Sequence, residues 1–449
     1  MPKHVFEVSP GAVATKEFSS GTRENVEPLP IVDWVLVFGL CVLLMFGVLA
    51  FGTVEEWSIF LFEAGATALF LVWAAKQLLS RQVKLLPNPL YLPALLFFLL
   101  ICAQIAFNAS AYPYVTRYGA LGYVSYGIVL LIASDCLRTK QARKAIALVM
   151  IGFGALYAFF ALAQDLTSNT KIFWIRTVRF HGAIYGSYVN RDHYAGLMEM
   201  LVPIPLVLSM SHLLRGGKRM LVGFCGILMA GTIFLCGSRG GIVAFVLEMV
   251  LLGTLMFGKR RRLPAIVGYA ALCIATLAFI FLSNNGRGLA RIGDLSPGIR
   301  PQITKDCLKM FVKRPIWGWG LGAFPTVYPQ YRSFYTNLFV NEAHNDYAQL
   351  LVETGVLGFA LMLWFLTRLY RATLPALHGW QNRWDRAVSL AALIGCTGIL
   401  VHSFVEFNLQ IPANAAFFYA LCALATSELE AGNRTGGSKM SQFEEPVAI

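Results

Sequence analysis

Residues 341–358 read NEAHNDYAQLLVETGVLG, a polar segment that runs without a break into an apolar helical pattern. His344, Asn345 and Asp346 are therefore predicted at the mouth of a membrane-spanning helix, where a side chain can reach both water and lipid. Polar groups at this depth are costly, and they are usually retained because they have a function. The structural alternative is an ordinary helix cap, in which Asn345 or Asp346 accepts hydrogen bonds from free backbone N–H groups.

The composition of the whole chain indicates an all-α polytopic membrane protein. Of its 449 residues, 57% are hydrophobic and only 14% are charged. A soluble domain of this size could not bury so much apolar surface. Residues 1–30 are polar and lack the apolar core of a signal peptide, so no cleavage is expected. The nine cysteines show no metal-ligand or CxxC spacing, and we interpret them as small core residues.

Windows of about 20 apolar residues predict about twelve transmembrane helices. The predicted spans lie near 31–52, 57–79, 90–107, 118–134, 145–163, 194–214, 220–236, 241–257, 264–283, 347–369, 387–404 and 413–426. Lys and Arg concentrate in every second loop, and the positive-inside rule places those loops and both chain ends in the cytoplasm. The predicted layout is a cytoplasmic segment 1–30, a transmembrane domain 31–428 and a cytoplasmic tail 429–449.

Two long loops, about 164–193 and 284–346, are predicted on the opposite side of the membrane. Both are rich in basic and aromatic residues, against the charge bias of the other loops on that side. Arginine donates paired hydrogen bonds to phosphate, so these loops predict a site for an anionic headgroup. Contact with anionic lipid, or simple solvation, is the alternative for any one residue. The loop between spans 9 and 10 is expected to be partly helical, because apolar residues recur at helical spacing over 299–312.

Several motifs of other enzyme classes are missing from the sequence. It contains no P-loop, dinucleotide-binding fingerprint, HExxH or GxSxG pattern, which argues against an ATP-driven pump, a redox enzyme and a serine hydrolase. The candidates that remain for chemistry are the arginines and His344 on the outer side of the membrane. Arginines can neutralise the charge that develops on a diphosphate leaving group. Histidine takes up protons near neutral pH and could accept one from a hydroxyl group.

Five short motifs carry a family resemblance. They are NRDHYAG at 190–196, SRGG at 238–241, RPIWGWGLGAF at 314–324, AHNDY at 343–347 with ETG at 353–355, and, more weakly, HSFVE at 402–406. With these motifs the chain resembles the O-antigen ligase/polymerase family, bacterial membrane glycosyltransferases of the C type. The motifs span about 190–414, and the predicted span pattern agrees over nearly the whole chain.

The resemblance implies transfer of a glycan from an undecaprenyl-diphosphate-linked donor to an acceptor hydroxyl at the periplasmic face of the inner membrane. No nucleotide, metal or other cofactor is expected. Arg191 and Arg239 would hold the diphosphate, and His344 would act as a base or would position the acceptor. The other substrate-site residues implied by the resemblance are Arg300, Arg314, His193, Asn345, Asp346 and Glu353.

The expected acceptor is lipid A–core, as in lipopolysaccharide biosynthesis. Alternatives within the family are polymerisation of O-antigen or exopolysaccharide onto a growing glycan, and protein O-glycosylation. A transporter of lipid-linked glycans is an alternative from another class, supported by Glu63, Glu199 and Glu248 within apolar runs. The sequence shows no internal repeat typical of transporters. The basic residues of the two long outer loops lie at the outer interface, whereas a transporter would place them at the membrane midplane, so glycan transfer is favoured. The expected partners are these lipid-linked substrates and membrane lipid, with no nucleic acid.

Overall fold

The structure is a computed structural model that describes residues 30–80, 85–168, 171–177, 184–256, 299–337 and 339–427. The predicted ninth span near 264–283, residues 1–29 of the predicted cytoplasmic segment and the predicted tail 429–449 lie outside the described residues. The predicted loop 284–346 is described from residue 299 onward.

Fourteen α-helices are present within these ranges. They are α1 Ile31–Leu49, α2 Glu56–Leu79, α3 Tyr91–Ala106, α4 Pro113–Cys136, α5 Lys140–Thr167, α6 Arg191–Leu201, α7 Pro203–Met210, α8 Gly216–Leu235, α9 Arg239–Met256, α10 Arg300–Lys313, α11 Phe324–Val327, α12 Asp346–Thr373, α13 Trp384–His402 and α14 Pro412–Thr426. Two short antiparallel strands, β1 Lys171–Ile172 and β2 Arg176–Thr177, form a small hairpin between α5 and α6.

The helices form a multi-pass membrane bundle. In the part of the chain that the structure describes, eight helical segments are long and apolar enough to cross a membrane, counting α6 and α7 as one, and α3 and α14 are shorter apolar helices. Each predicted span within the described ranges coincides with helix, and the total of twelve spans stays a prediction. The amphipathic helix expected near 299–312 is present as α10.

The sixth predicted span, near 194–214, is present as one membrane-spanning segment that consists of two helices, α6 and α7, which meet at Val202. Pro203 and Pro205 follow this junction, and proline has no N–H to donate to the helical ladder, so the ladder breaks.

The innermost helices are those that carry two of the sequence motifs. In α6 and α7 together, 83% of the most apolar stretch is buried, and in α13 the share is 72%, against 22% in α2. A buried hydrogen bond joins α6 to α13, because His402 Nδ1 lies 2.9 Å from Glu199 Oε1. This contact holds the end of α6 against the end of α13.

Helix α12 is broken at Gly355, whose backbone adopts φ +63°. The loop that carries RPIWGWGLGAF lies against this break and satisfies the backbone groups that it frees. Val356 N donates to Pro315 O at 2.8 Å, and Trp319 N donates to Val352 O at 2.9 Å. The ETG motif of α12 and the WGWG part of the loop therefore contact each other through their backbones. Because this contact pairs the backbone groups that the break frees, a broken helix is compatible with a membrane protein.

Glycine is required where this loop touches α12. Gly318 has φ +70°, and a Cβ there would lie 2.4 Å from the carbonyl carbon of Glu353. We expect Gly318→Ala to lower the free energy of unfolding by about 2 kcal/mol or more, through backbone strain and overlap with α12. Thermal unfolding of the purified protein measures the change. Gly217→Ala on α8 is the control, because a Cβ there meets nothing within 4 Å; equal stability of the two variants would contradict the close contact.

Candidate functional site

A buried carboxylate, Glu406, lies at the centre of the candidate site. It belongs to the segment between α13 and α14, and its side chain is fully buried. Oε1 lies 2.7 Å from His344 Nδ1 and accepts from Phe407 N at 3.2 Å. Oε2 accepts from Arg300 Nη2 at 2.7 Å. One carboxylate therefore links His344, which directly precedes the N-cap of α12, to Arg300, the first residue of α10.

The charge of Glu406 sets the hydrogen-bonding pattern of His344. Burial acts to raise the pKa of Glu406, but the hydrogen bond with His344 and the positive charge of Arg300 outweigh it and hold the pKa well below its usual range. An ionised carboxylate only accepts hydrogen bonds, so His344 Nδ1 carries the hydrogen. In the neutral ring Nε2 then has a free lone pair, and this nitrogen can accept a proton.

The backbone presents His344 at the start of α12. His344 itself has φ +50°, a left-handed conformation that is uncommon outside glycine and often marks a functional site. The Asn345 side chain accepts from Ala348 N at 2.9 Å and caps α12. The capping alternative considered for Asn345 is thus confirmed, and the cap fixes where the helix begins relative to His344.

The rings of two histidines contact the Phe407 ring in edge-to-face arrangements. The His344 ring is 4.8 Å from it at 77°, and the His193 ring is 4.6 Å from it at 70°. His193 is buried in α6, and its Nδ1 lies 3.1 Å from Asn408 Oδ1. His193 therefore contacts Phe407 and Asn408, and its role in the substrate site stays a prediction.

Arg300 connects three parts of the site. Besides Glu406, its guanidinium donates to Val405 O at 2.9 Å and lies 3.5 Å from Asp192 Oδ2. Asp192 follows Arg191 in the first turn of α6, where the Asn190 side chain accepts from Asp192 N at 2.9 Å. Arg191 is half-buried and directly precedes Asp192. The start of α6 therefore places Arg191 close to Arg300.

Arg239 is brought to the same region by the glycines that follow it. A Cβ at Gly240 would lie 2.6 Å from His402 Nε2 and 2.9 Å from Val405 Cγ2. A Cβ at Gly241 would lie 2.7 Å from the Ala195 Cβ. Only glycine lets α9 begin this close to α6 and α13, so the exposed Arg239 lies beside the segment that leads to Glu406.

Three further predicted substrate-site residues have hydrogen-bond partners within the protein, and their role in the site stays a prediction. Arg314 donates to Ala109 O at 2.9 Å and stacks on the Trp319 ring at 4.4 Å. Glu353 is buried and accepts from Phe324 N at 3.2 Å, within the contact between the glycine-rich loop and α12. Asp346 is buried and accepts from Leu409 N at 3.1 Å. Motif spacing does not reveal such partners, because they come from distant parts of the chain.

Glu406 belongs to the HSFVE motif, but the resemblance alone assigns it no role in the site. The available signal was an acidic residue in a polar segment directly before the last predicted span, on the same side as the arginines. Acids in that position pair with buried cations, and this expectation would have selected Glu406.

Within the described ranges, one group of three metal-capable side chains comes together, and it lies away from His344. Asp33, Asp135 and Cys136 have ligand atoms within 4.8 Å of one another. Lys76 Nζ lies 2.5 Å from Asp33 and 3.1 Å from Asp135, so an ammonium group already holds both carboxylates. The group is at the end of α4, opposite the end of the bundle that carries Glu406.

Comparison with protein families agrees with the motifs. Residues 224–363 match the family model described as O-antigen ligase. This match supports the resemblance of the chain to the O-antigen ligase family. The matched segment contains Arg239, Arg300 and His344, whereas Arg191 and Glu406 lie outside it. No curated protein sequence matches the chain significantly.

Glu406→Gln is expected to lower the free energy of unfolding by about 2 kcal/mol at neutral pH, because a charged hydrogen-bond acceptor is lost between Arg300 and His344. The pKa of this carboxyl is lower in the folded protein than its ordinary value of 4.5. The contribution of the ionised Glu406 carboxylate to the free energy of unfolding is therefore complete above about pH 4.5, and it is lost progressively as the pH falls below that value.

Thermal unfolding between pH 3.5 and pH 7 measures this dependence. The difference between wild type and Glu406→Gln should shrink as the pH falls. Glu56→Gln is the control, because Glu56 is an exposed carboxylate at the start of α2. A difference that stays constant across this range would contradict the ionised, paired state of Glu406.

Proposed function

We propose that the protein transfers a glycan from an undecaprenyl-diphosphate-linked donor to an acceptor hydroxyl at the periplasmic face of the bacterial inner membrane. The match of residues 224–363 to the O-antigen ligase family supports ligase- or polymerase-type activity. The observation that carries the proposal is the Glu406-paired His344 beside Arg300, with Arg191 and Arg239 close by, at one end of a membrane bundle. We propose lipid A–core as the acceptor, in keeping with the ligase description of the family.

The arginines would bind the diphosphate of the donor. Guanidinium groups donate paired hydrogen bonds to phosphate oxygens and neutralise the negative charge that grows as the diphosphate leaves. Arg191 and Arg239 begin α6 and α9, so the free N–H groups of these helices would add to the positive potential. Because protein cations supply this charge stabilisation, we propose that the reaction needs no metal ion.

His344 would act on the acceptor. Nε2 would take the proton of the acceptor hydroxyl as its oxygen bonds to the anomeric carbon and the bond from that carbon to the diphosphate oxygen breaks. Glu406 would stabilise the resulting imidazolium through the bond to Nδ1, and this bond would also fix the orientation of the ring.

An apolar groove supports a lipid-linked donor. The groove has a volume of about 640 Å³ and is lined by α3, α4, α12 and α14, with aromatic walls that include Phe97, Tyr123 and Phe365. It reaches Asp346 and Gln410, which lie within a few residues of His344 and Glu406. Each prenyl methylene buried there would contribute about 0.8 kcal/mol to binding.

The test of the function uses purified protein in detergent with a matched lipid-linked oligosaccharide donor, with and without lipid A–core. A product that forms only with lipid A–core is expected. A ladder of longer lipid-linked chains without added acceptor would assign polymerase activity instead. No product in either reaction would contradict glycan transfer and favour a transporter.

Variants connect this activity to the site. His344→Ala should reduce transfer at least about 100-fold, the usual contribution of a general base. Arg191→Lys and Arg239→Lys keep the charge but lose the planar guanidinium, so both should weaken donor use. The control is Arg314→Lys, since Arg314 contacts Ala109 and Trp319. Full activity of folded His344→Ala would refute its role as the base.

The groove is tested at Gly127 of α4, which lines it and has nothing within 4 Å of a Cβ position. Gly127→Phe should fill part of the groove without a clash and raise the KM for the lipid-linked donor several-fold. Gly152→Phe on α5 is the matched control, because a Cβ there also meets nothing within 4 Å and Gly152 lies outside the groove. Equal KM values for the two variants would exclude the groove as the prenyl site.

A further inference from the structure

A second cavity lies at the opposite end of the bundle from Glu406. It has a volume of about 640 Å³ and lies among the start of α5, the end of α12, the start of α13, the end of α14 and the segment 87–89. Helix α12 begins beside His344 and α13 ends at His402, so this cavity is separated from the candidate site by the length of both helices. The proposed glycan transfer makes no use of it.

The side chains around the cavity are strongly basic. Four guanidinium groups line it against a single described carboxylate, that of Asp385; they belong to Arg143, Arg368, Arg383 and Arg386. Asp385 is engaged by one of these groups, with Arg383 Nη2 at 2.9 Å from Oδ2. The cavity therefore keeps an excess of positive charge after its ion pair is counted.

Arg143 shows that part of this charge is buried. Its side chain is 1% exposed, and its hydrogen bonds go to neutral oxygens. Nε donates to Leu137 O at 2.7 Å, Nη1 donates to Ser389 Oγ at 3.0 Å, and Nη2 donates to Ser427 O. The two carbonyls follow the ends of α4 and α14, so Arg143 holds helix ends together. No described carboxylate forms an ion pair with it, since the nearby Asp385 is paired with Arg383. A buried cation without an ion-pair partner is costly, and a bound anion would lower that cost.

Arg368 and Arg386 have hydrogen-bond donors to spare. Arg368 Nε lies 3.4 Å from Pro89 O, and Arg386 Nη1 donates to His378 O. Neither forms an ion pair with the carboxylates of the described ranges. Helix α13 begins at Trp384, so Arg386 lies in its first turn. This helix start has no side-chain cap, and its first N–H groups therefore also favour an anion.

We propose that this cavity binds a phosphate group, carried by an anionic phospholipid headgroup or by a soluble phosphate compound. Arg368 and Arg386 would donate to the phosphate oxygens, and Arg143 would form the charged wall behind them. The cavity lies where four membrane helices end, at the depth of lipid headgroups. The positive-inside bias accounts for basic residues on this face, but it requires neither a cavity nor a buried arginine.

The experiment measures thermal unfolding of the full chain in a neutral detergent. Phosphatidylglycerol, phosphatidylcholine and inorganic pyrophosphate are added separately, with sodium chloride matching the ionic strength in every arm. We expect an anionic ligand at saturation to raise the Tm by about 5 °C over phosphatidylcholine. A shift with phosphatidylglycerol alone assigns the site to lipid, and a shift with pyrophosphate assigns it to soluble phosphate compounds.

The double variant Arg368→Gln/Arg386→Gln should lose most of this shift. The matched control is Arg371→Gln/Arg219→Gln, which removes the same charge from exposed positions on the same face outside the cavity. Native mass spectrometry of the same samples counts bound lipid, so loss of lipid is distinguished from loss of stability. Equal shifts with phosphatidylcholine and phosphatidylglycerol and none with pyrophosphate would overturn the proposal, as would an undiminished shift in the double variant.

Discussion

The buried Glu406 carboxylate is the interaction on which the rest of the candidate site depends. It fixes the hydrogen on His344 Nδ1, holds Arg300 at the start of α10, and lies in the segment that joins α13 to α14. A carboxylate is stable there because the Arg300 guanidinium, the N–H of His344 Nδ1 and a backbone N–H all donate hydrogen bonds to it. Without it, Arg300 and His344 would have no common partner, and the two loops that carry them would lose their relative position.

Close packing of the surrounding helices also fixes the relative positions of the groups around Glu406. Gly240 and Gly241 let α9 approach α6 and α13, which are themselves joined by the His402–Glu199 pair. Buried polar pairs are costly between membrane helices unless both members are satisfied, so this pair also limits how α6 and α13 can shift. The same packing brings Arg239 to the segment that contains Val405 and Glu406.

The glycine-rich loop has a different role from the one its aromatic and basic residues suggest. Its backbone replaces the hydrogen bonds that α12 loses at Gly355, and Glu353 fastens the loop from the other side. Rigidity at this break positions the first turns of α12, and with them Asn345 and His344. The motif therefore supports the site through the helix and does not contribute its arginine to the cluster around Glu406.

The sequence by itself determined the helical membrane class, the approximate helix positions, the amphipathic helix α10 and the concentration of arginines and His344 in a few motifs. These follow from apolar window length, charge in loops and helical spacing, which are local properties of the chain. Only the tertiary structure decided which polar groups meet. Glu406 is 62 residues from His344 and 106 from Arg300, and no local pattern encodes pairs at such separations. For the same reason Glu353, Asp346 and Arg314 could be recognised as motif residues, while their structural partners became visible only once distant helices were packed together.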